Sequence, residues 1–203
     1  VGHDFGAPFV WSMAARHPDR VRAVVGVSVP YEPRRAPGRP TESFAAMARQ
    51  HFLHLHYFQA QGVAEAELDP STRVFLTRLF WALSGAYRYM DIWSRPPSGP
   101  GYLGVLPEAP PPLPWPWLSE RDLDVYVKEY ERTGFRGGLN WYRAIDANWE
   151  TGAGWAGQRI GVPALFVAGA RDTVIEMSGP AALEVMRDHV ADLRGCHLIP
   201  DTG

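Results

Sequence analysis

The chain has 203 residues, of which 46% are hydrophobic and 21% are charged, and its formal net charge is -2. This length supports one sizeable core, or a core with a lid, and the near-neutral charge does not indicate a nucleic-acid or membrane-surface partner. No apolar run approaches the roughly 20 residues of a membrane span, and the single cysteine, Cys196, excludes an internal disulfide. We therefore expect a cytoplasmic protein.

The first motif is Gly2-His3-Asp4-Phe5-Gly6, which fits the pattern G-x-D-x-G. The pattern resembles the strand-to-helix turn on which α/β-hydrolases carry their nucleophile, with Asp in the usual place of Ser. Such a turn needs strained backbone and close strand–helix approach, so we expect glycine to be required on both flanks. A carboxylate is ionised at neutral pH and suits attack on an alkyl carbon, giving an ester. The alternative is that Asp4 is a helix N-cap.

The segments that flank the middle of the chain predict a parallel α/β sheet. Short apolar runs rich in β-branched residues are typical of strands that are covered on both faces. Strands are predicted at 21–29 and 162–168, with another beginning at 196–199, and helices at 7–17 and from Pro180 to about Val190. Strand–helix alternation of this kind indicates a parallel sheet.

Between these segments the pattern changes to helices. We predict helices at 41–60, 70–83, 119–133 and 138–148, with Asp69 as an N-cap and Ser119 with Asp122 as a capping box. Helices inserted between two strands of a sheet indicate a lid. The predicted organisation is an α/β-hydrolase core at 1–30 and 157–203, with a helical lid at 31–156.

Residues 94–118 are rich in proline and glycine, including Pro110-Pro111-Pro112. One interpretation is a polyproline ligand for an SH3-type module. We favour an ordered excursion between two lid helices, because a solvated linker would lack apolar anchors. The segment contains Tyr102, Leu103, Val105, Leu106, Trp115 and Trp117.

Nearly the whole chain resembles the epoxide hydrolases of the α/β-hydrolase fold. The supporting segments are GHDFG at 2–6, YFQAQGVAEAELD at 57–69, YVKEYERTGFRGGLNWYR at 126–143, PALFVAGARD at 163–172 and the final DTG. The lid segment that ends in Asn140-Trp141-Tyr142-Arg143 is the most specific, because G-x-D-x-G alone also admits dehalogenases.

The resemblance implies a role for four residues. Asp4 would be the nucleophile that opens the epoxide, and Tyr142 would donate a hydrogen bond to the epoxide oxygen. Asp172 would orient a catalytic histidine, and the Phe5 backbone N–H would form half of an oxyanion hole. Taken alone, Tyr142 could be an aromatic residue packed under the lid, and Asp172 could cap a turn after its strand.

The substrate implied by the resemblance is a small epoxide, with no metal and no cofactor. We place His54, Phe58 and Trp141 at the substrate, although packing would equally explain the two aromatic residues. A haloalkane or haloacid dehalogenase, which uses the same Asp nucleophile, is an alternative. A second alternative is a non-catalytic binding protein that kept the pocket.

The chain departs from the family pattern in three places. The catalytic histidine of the family directly follows the segment that matches Asp201-Thr202-Gly203, and the HGxP loop would precede Val1. We therefore expect an internal fragment that does not turn over epoxides by itself. The third departure is His54, which stands where the family usually has a second lid tyrosine.

Three interpretations of His54 stay open. It could donate a hydrogen bond to the epoxide oxygen, and if protonated it would make the rate fall as pH rises through its pKa. It could belong to a metal site with His51 and His56, which the absence of a nearby carboxylate disfavours. It could also be a histidine on the lid surface, with Tyr142 acting alone.

Overall fold

The structure is a computed structural model that describes residues 1–34, 38–94 and 101–203, without the side chains of 93 and 94. It divides into two compact units. We call 1–37, 84–86 and 149–203 the core unit, and 38–83 and 87–148 the helical unit. The core unit thus extends beyond the predicted limits at residues 30 and 157. That the helical unit is a lid stays a prediction.

The core unit contains a four-stranded sheet in the order β1-β2-β3-β4, with parallel pairing throughout. The strands are β1 (Gly2–His3), β2 (Val24–Val27), β3 (Ala164–Gly169) and β4 (Leu193–Ile199). Helix α1 (Gly6–Arg16) connects β1 to β2, and α9 (Thr173–His189) connects β3 to β4. The predicted parallel α/β sheet is confirmed.

Trp11 joins α1 to the sheet. Its side chain is 1% exposed, and its indole N–H donates to the carbonyl of Val29 over 3.0 Å. A Cβ atom on Gly26 of β2 would lie 2.2 Å from the indole ring, so this position requires glycine. The helix therefore packs against the strand at backbone distance, which places the start of α1 directly beside β1 and β2.

Helix α9 begins earlier than predicted. It starts at Thr173 rather than Pro180, because Asp172 caps it by accepting a hydrogen bond from the N–H of Val174. Gly179, with φ +67, interrupts the helical backbone and Pro180 starts the second part. The predicted helix thus corresponds only to the second part of α9.

The helical unit consists of short helices around one apolar core. They are α2 (Pro40–Met47), α3 (His54–Tyr57), α4 (Val63–Leu68), α5 (Thr72–Leu83), α6 (Glu120–Thr133), α7 (Arg136–Arg143) and the start of α8 (Ile145–Thr151). Short 3₁₀ helices in the described residues span Asp69–Ser71, Tyr89–Ser94 and, in the core unit, Ala153–Trp155. Across the described part of the chain, every helix is too short or too polar to cross a membrane.

The single helix predicted at 41–60 is wrong. Its residues form α2 and α3, and the backbone at Leu53 is extended, with φ -132 and ψ 111. The break lets Phe52 enter the core, where its ring stacks on Tyr102 at 5.5 Å. Tertiary packing therefore overrides the helical pattern here. The helix predicted at 138–148 is likewise divided at Ala144 into α7 and α8.

The two predicted caps have different outcomes. Ser119 and Asp122 form the predicted capping box at α6. Asp69 does not cap α5, which begins three residues later. Its carboxylate instead accepts a hydrogen bond from the N–H of Phe135 over 3.0 Å. Asp69 thus bonds to a residue that is distant in sequence instead of to the helix that follows it.

The excursion predicted at 94–118 lies partly outside the described residues. In its described part, hydrogen bonds to Glu67 hold the backbone in place. The carboxylate accepts the N–H groups of Tyr102 and Leu103 over 2.9 and 3.1 Å, and the Tyr57 hydroxyl over 2.7 Å. Gly101, with φ +86, leaves the space that this carboxylate occupies. Four of the predicted apolar anchors are buried, namely Tyr102, Val105, Leu106 and Trp115. Leu103 is partly buried against the same core, whereas Trp117 is 52% exposed.

Candidate active site

Asp4 occupies a strained turn between β1 and α1. Its φ of +49 lies in the left-handed region, which costs a residue other than glycine about 1–3 kcal/mol. Hydrogen bonds on both sides hold the turn, from the Asp4 N–H to the Val27 carbonyl and from the Ala7 N–H to the Asp4 carbonyl. Since α1 has no side-chain cap hydrogen bond, the N-cap alternative for Asp4 is wrong.

The two flanking glycines of this turn are not equivalent. A Cβ atom on Gly2 would lie 2.1 Å from the Gly6 carbonyl oxygen, which is backbone and cannot move aside cheaply. A Cβ atom on Gly6 would meet nothing within 4 Å. The expected steric requirement therefore holds for Gly2 and is wrong for Gly6.

The Phe5 N–H donates to Oδ2 of Asp4 over 2.6 Å. If Oδ1 formed an ester, Oδ2 would be its carbonyl oxygen, and attack by water would place negative charge there. A donor already in position at that atom is the arrangement that stabilises an oxyanion. The geometry is therefore compatible with the role expected for Phe5.

Asp4 and Asp172 lie at the same edge of the sheet. Asp4 follows the end of β1, and Asp172 follows the end of β3. Parallel register aligns His3 with Val27 and Val27 with Val167, so the carboxyl ends of these strands coincide. Oδ1 of Asp172 accepts the N–H of Val174 over 2.8 Å, so this carboxylate does cap the following helix. A carboxylate has a second oxygen, and capping therefore does not exclude the proposed role of orienting a histidine.

The turn of Asp201, Thr202 and Gly203 lies beside the loop that carries Asp172. The N–H of Arg171 donates to the Thr202 carbonyl over 2.8 Å, and the guanidinium of Arg171 pairs with Asp201 at 3.0 Å. A Cβ atom on Gly169 would lie 2.2 Å from the Thr202 carbonyl oxygen. Backbone contact therefore fixes this turn one residue from Asp172.

In the helical unit, Tyr142 lies in α7 and contacts both His54 and Phe58. Its ring meets the His54 ring edge-to-face at 6.0 Å and the Phe58 ring at 4.9 Å. These three predicted site residues thus form one cluster. Trp141, the remaining predicted substrate-binding residue, is 50% exposed.

Two further tyrosines in this cluster were missed by the sequence analysis as site residues. The Tyr89 hydroxyl lies 3.2 Å from Nδ1 of His54 and 2.5 Å from the Tyr102 hydroxyl. Tyr102 also stacks on the imidazole, with ring centres 5.9 Å apart and planes 9° from parallel. Tyr102 had been predicted only as an apolar anchor, and no sequence signal relates position 89 to position 54.

Burial sets the charge state of this cluster. It lowers the pKa of His54 to about 4, so the imidazole is neutral at pH 7. Burial also raises the pKa of Tyr89 and of Tyr102, and the charge of an ionised Tyr142 would raise both further. The hypothesis of a protonated His54 donor is therefore wrong near neutral pH. Among the described residues, no group of three or more His, Cys, Asp or Glu side chains could hold a metal ion. This excludes the metal site of His51, His54 and His56 that the sequence suggested.

Arg143 positions the end of α7. It forms an ion pair with Glu65 at 2.6 Å, and the two side chains are 10% and 15% exposed. Its guanidinium also donates to the carbonyls of Phe58 and Ala60 over 3.0 and 3.2 Å. Hydrogen bonding from Arg143 is the main cause that lowers the pKa of Glu65 to about 2. The ion pair thus holds α7 against the segment that carries Phe58.

The comparisons with known proteins agree with the fold described above. The profile of a family described as the alpha/beta hydrolase fold matches residues 1–200. Epoxide hydrolase A of Mycobacterium tuberculosis is 44% identical over 181 residues, which cover 86% of this chain and 54% of that protein. The structure of an epoxide hydrolase from an endophytic Streptomyces matches with a TM-score of 0.89 at 36% identity, covering 100% of this chain and 60% of that one. Epoxide Hydrolase A from Mycobacterium thermoresistibile matches with a TM-score of 0.82 at 44% identity, covering 98% and 60%. The chain thus spans little more than half the length of these relatives.

Proposed function

The chain belongs to the α/β-hydrolase fold family, and we propose that it acts in the hydrolysis of epoxides to vicinal diols. The observation that carries this proposal is the Asp4 carboxylate on a strained turn, with the Phe5 N–H bonded to one of its oxygens. An ionised carboxylate there suits attack on carbon and needs no neighbouring base. The relatives named as epoxide hydrolases support the same activity.

The first chemical step is attack by Oδ1 of Asp4 on a ring carbon of the epoxide. A bond forms between Oδ1 and that carbon, and the carbon–oxygen bond of the ring breaks with its electron pair on oxygen. Tyr142 donates a hydrogen bond and then a proton to this oxygen. The product of the step is an alkyl ester of Asp4.

The second step is hydrolysis of that ester. Water attacks the ester carbonyl carbon, the negative charge develops on Oδ2, and the N–H of Phe5 stabilises it. The second proton of water goes to the leaving alkoxide, so the diol departs with Oδ1 and the oxygen of water stays in Asp4. Asp172 orients the histidine that we expect directly after Gly203, and that histidine accepts a proton from water. Support for this placement comes from the contact between Arg171 and Thr202 beside Asp172. The proton that the histidine accepts returns to the Tyr142 phenolate, which restores both groups.

A single-turnover experiment in ¹⁸O-labelled water tests the route. With excess full-length enzyme, we expect ¹⁸O in peptides that contain Asp4 and unlabelled diol from the first turnover. Label in the diol and none in Asp4 would show direct attack by water and overturn the covalent mechanism. Asp4→Ala is the matched control, since it removes the acceptor of the label and should form no ester.

A second assay separates epoxide hydrolysis from dehalogenation. Halide release from haloalkanes and haloacids is measured beside diol formation from an aryl-substituted and an aliphatic epoxide. We expect diol formation to exceed halide release by at least about a hundredfold, the rate equivalent of roughly 2.7 kcal/mol in activation free energy. Halide release without diol formation would favour the dehalogenase instead.

A further inference from the structure

We propose that Tyr89 and Tyr102 are positioning residues that hold His54 as the neutral tautomer with its proton on Nε2, which makes Nε2–H a donor to the substrate oxygen. The role toward substrate rests on the proposed function, whereas the tautomer rests on the geometry of the helical unit alone. The arrangement that carries the proposal is a chain of three polar groups, from the buried Tyr102 and Tyr89 to the partly buried His54.

The chain of contacts is short and enclosed. The two tyrosine hydroxyls lie 2.5 Å apart, and the Tyr89 hydroxyl lies 3.2 Å from Nδ1 of His54. Both tyrosines are 3% exposed. Tyr102 covers one face of the imidazole, and Tyr89 meets it edge-to-face at 6.1 Å. The ring of His54 is therefore held from its face and through Nδ1.

The direction of the hydrogen bonds follows from the number of protons. If Nδ1 carried the proton, His54 would donate to Tyr89 and Tyr89 would donate to Tyr102. The hydroxyl proton of Tyr102 would then need an acceptor, and within the described residues that hydroxyl contacts only Tyr89. A buried donor without an acceptor is strongly disfavoured.

The opposite direction leaves no proton without an acceptor. Tyr102 donates to Tyr89, and Tyr89 donates to Nδ1 of His54, which must then be unprotonated. A neutral imidazole carries one proton, so it lies on Nε2. Because burial keeps the pKa of His54 at about 4, this neutral form persists across the physiological range.

The position of His54 would let its Nε2–H group donate a hydrogen bond to the substrate. Its ring contacts Tyr142 edge-to-face and Phe58 at 5.9 Å, and part of its surface stays accessible. The titratable groups that face the ring in the described residues are therefore Tyr89, Tyr102 and Tyr142. A neutral N–H donor beside the Tyr142 hydroxyl would bind the same oxygen without depending on pH.

Nitrogen NMR of protein labelled with ¹⁵N-histidine tests the tautomer. A bare and a protonated ring nitrogen differ widely in chemical shift, and His54→Gln identifies the signal by its loss. We expect a bare Nδ1 and a protonated Nε2 between pH 5.5 and 8. Tyr89→Phe should convert this to a mixture in which Nδ1–H is at least tenfold more populated than in wild type. Tyr31→Phe is the matched control, because its hydroxyl donates to the Gln158 carbonyl in the core unit and its loss should leave the tautomer unchanged. A protonated Nδ1 in the wild type would overturn the tautomer.

Single-turnover ester formation in the full-length enzyme tests the use of the proton. Tyr89→Phe should slow ring opening about three- to tenfold, and the same substitution in a His54→Phe background should have no further effect. Titration of His54 should not change the wild-type rate of ester formation between pH 5.5 and 8. Equal slowing in both backgrounds would mean that Tyr89 acts only on packing, and would overturn the positioning role. Wild type that forms no ester on Asp4 but shows the Nε2–H tautomer would overturn the proposed function and leave the tautomer standing.

Discussion

Asp4 owes its proposed role to its backbone as much as to its carboxylate. A left-handed φ of +49 projects the side chain out of the turn between β1 and α1, and the Phe5 N–H occupies one carboxylate oxygen. In the proposed mechanism, the other oxygen is therefore the one that attacks carbon. His54 shows the same principle, since Tyr89 at Nδ1 distinguishes its two ring nitrogens.

At the same scale, Tyr142→Phe should slow ring opening in the full-length enzyme by about two to three orders of magnitude. A hydrogen bond made mainly in the transition state contributes on the order of 2–4 kcal/mol, which corresponds to this range of rates. Stopped-flow measurement of ester formation on Asp4 gives the rate. His54→Phe should slow the step less. A larger loss for His54→Phe would reverse the assignment of principal and auxiliary donor.

The elements of the core unit pack at backbone distance. Trp11 lies against Gly26 where α1 meets β2, and the Gly6 carbonyl lies against Gly2 where the same helix meets β1. The helical unit relies instead on side chains, since Arg143 joins the end of α7 to Glu65 and to the carbonyls after α3. Substitutions should therefore have different consequences in the two units.

The Asp4 turn offers a matched pair of alanine substitutions. Gly2→Ala should lower the free energy of unfolding by about 1–3 kcal/mol, because its new methyl group would overlap the Gly6 carbonyl. Gly6→Ala adds a methyl group in open space within α1 and should be neutral or stabilise by up to about 1 kcal/mol. Chemical denaturation of the two variants measures the difference. Equal effects would show that close approach at Gly2 is not what the turn requires.

The ion pair of Glu65 and Arg143 should make stability depend on pH. The folded pKa of Glu65, about 2, lies below its ordinary value of 4.5, so the pair stabilises the fold fully above pH 4.5. That contribution, at most about 3 kcal/mol, is lost as pH falls from 4.5 towards 2. Denaturation of wild type and Glu65→Gln at each pH isolates it, because the other carboxylates are common to both proteins.

In this comparison Glu65→Gln should be less stable than wild type above pH 4.5, and the two should converge as pH falls towards 2. A difference that stays constant with pH would show that the glutamine acts through packing rather than charge. Glu129→Gln is the control for an exposed pair, since its partner Arg132 is 68% exposed and the effect should be under about 1 kcal/mol.

On the scale of the whole molecule, the core unit is assembled from three separate stretches of the chain. Residues 84–86 interrupt the helical unit in sequence, yet they belong to the core unit. Gly85 accepts a hydrogen bond from Arg171 over 2.7 Å, and a Cβ atom on it would lie 2.4 Å from the Asp201 carbonyl oxygen. Two of these stretches, 84–86 and 149–203, thus meet at the turn that ends in Gly203.

Gly85→Ala should therefore destabilise the core unit by about 1–3 kcal/mol, because the methyl group would displace the backbone at Asp201. Gly154→Ala, where a Cβ atom meets nothing within 4 Å, is the control and should change stability by less than about 0.5 kcal/mol. Hydrogen exchange at Thr202 and Gly203 should also accelerate in Gly85→Ala. Unchanged exchange at both residues would contradict the proposed convergence.

The sequence by itself determined the features that are encoded in neighbouring residues. The Asp4 turn, the parallel sheet and the capping box of Ser119 and Asp122 follow from short-range spacing, apolar β-branched runs and local hydrogen bonding. Asp4, Asp172, Tyr142 and His54 came from motifs, and their catalytic roles stay proposals. The structure adds where each side chain lies and what it contacts.

Only the tertiary structure decided the features that depend on distant partners. Asp69 bonds to Phe135 across 66 residues instead of capping α5, and the residues predicted as one helix at 41–60 divide so that Phe52 can pack on Tyr102. Tyr89 meets His54 across 35 residues. Hydrophobic periodicity and capping motifs depend only on residues that are close together in the sequence. Both the burial that lowers the pKa of His54 and the contact of Tyr89 with its Nδ1 are therefore set by tertiary packing.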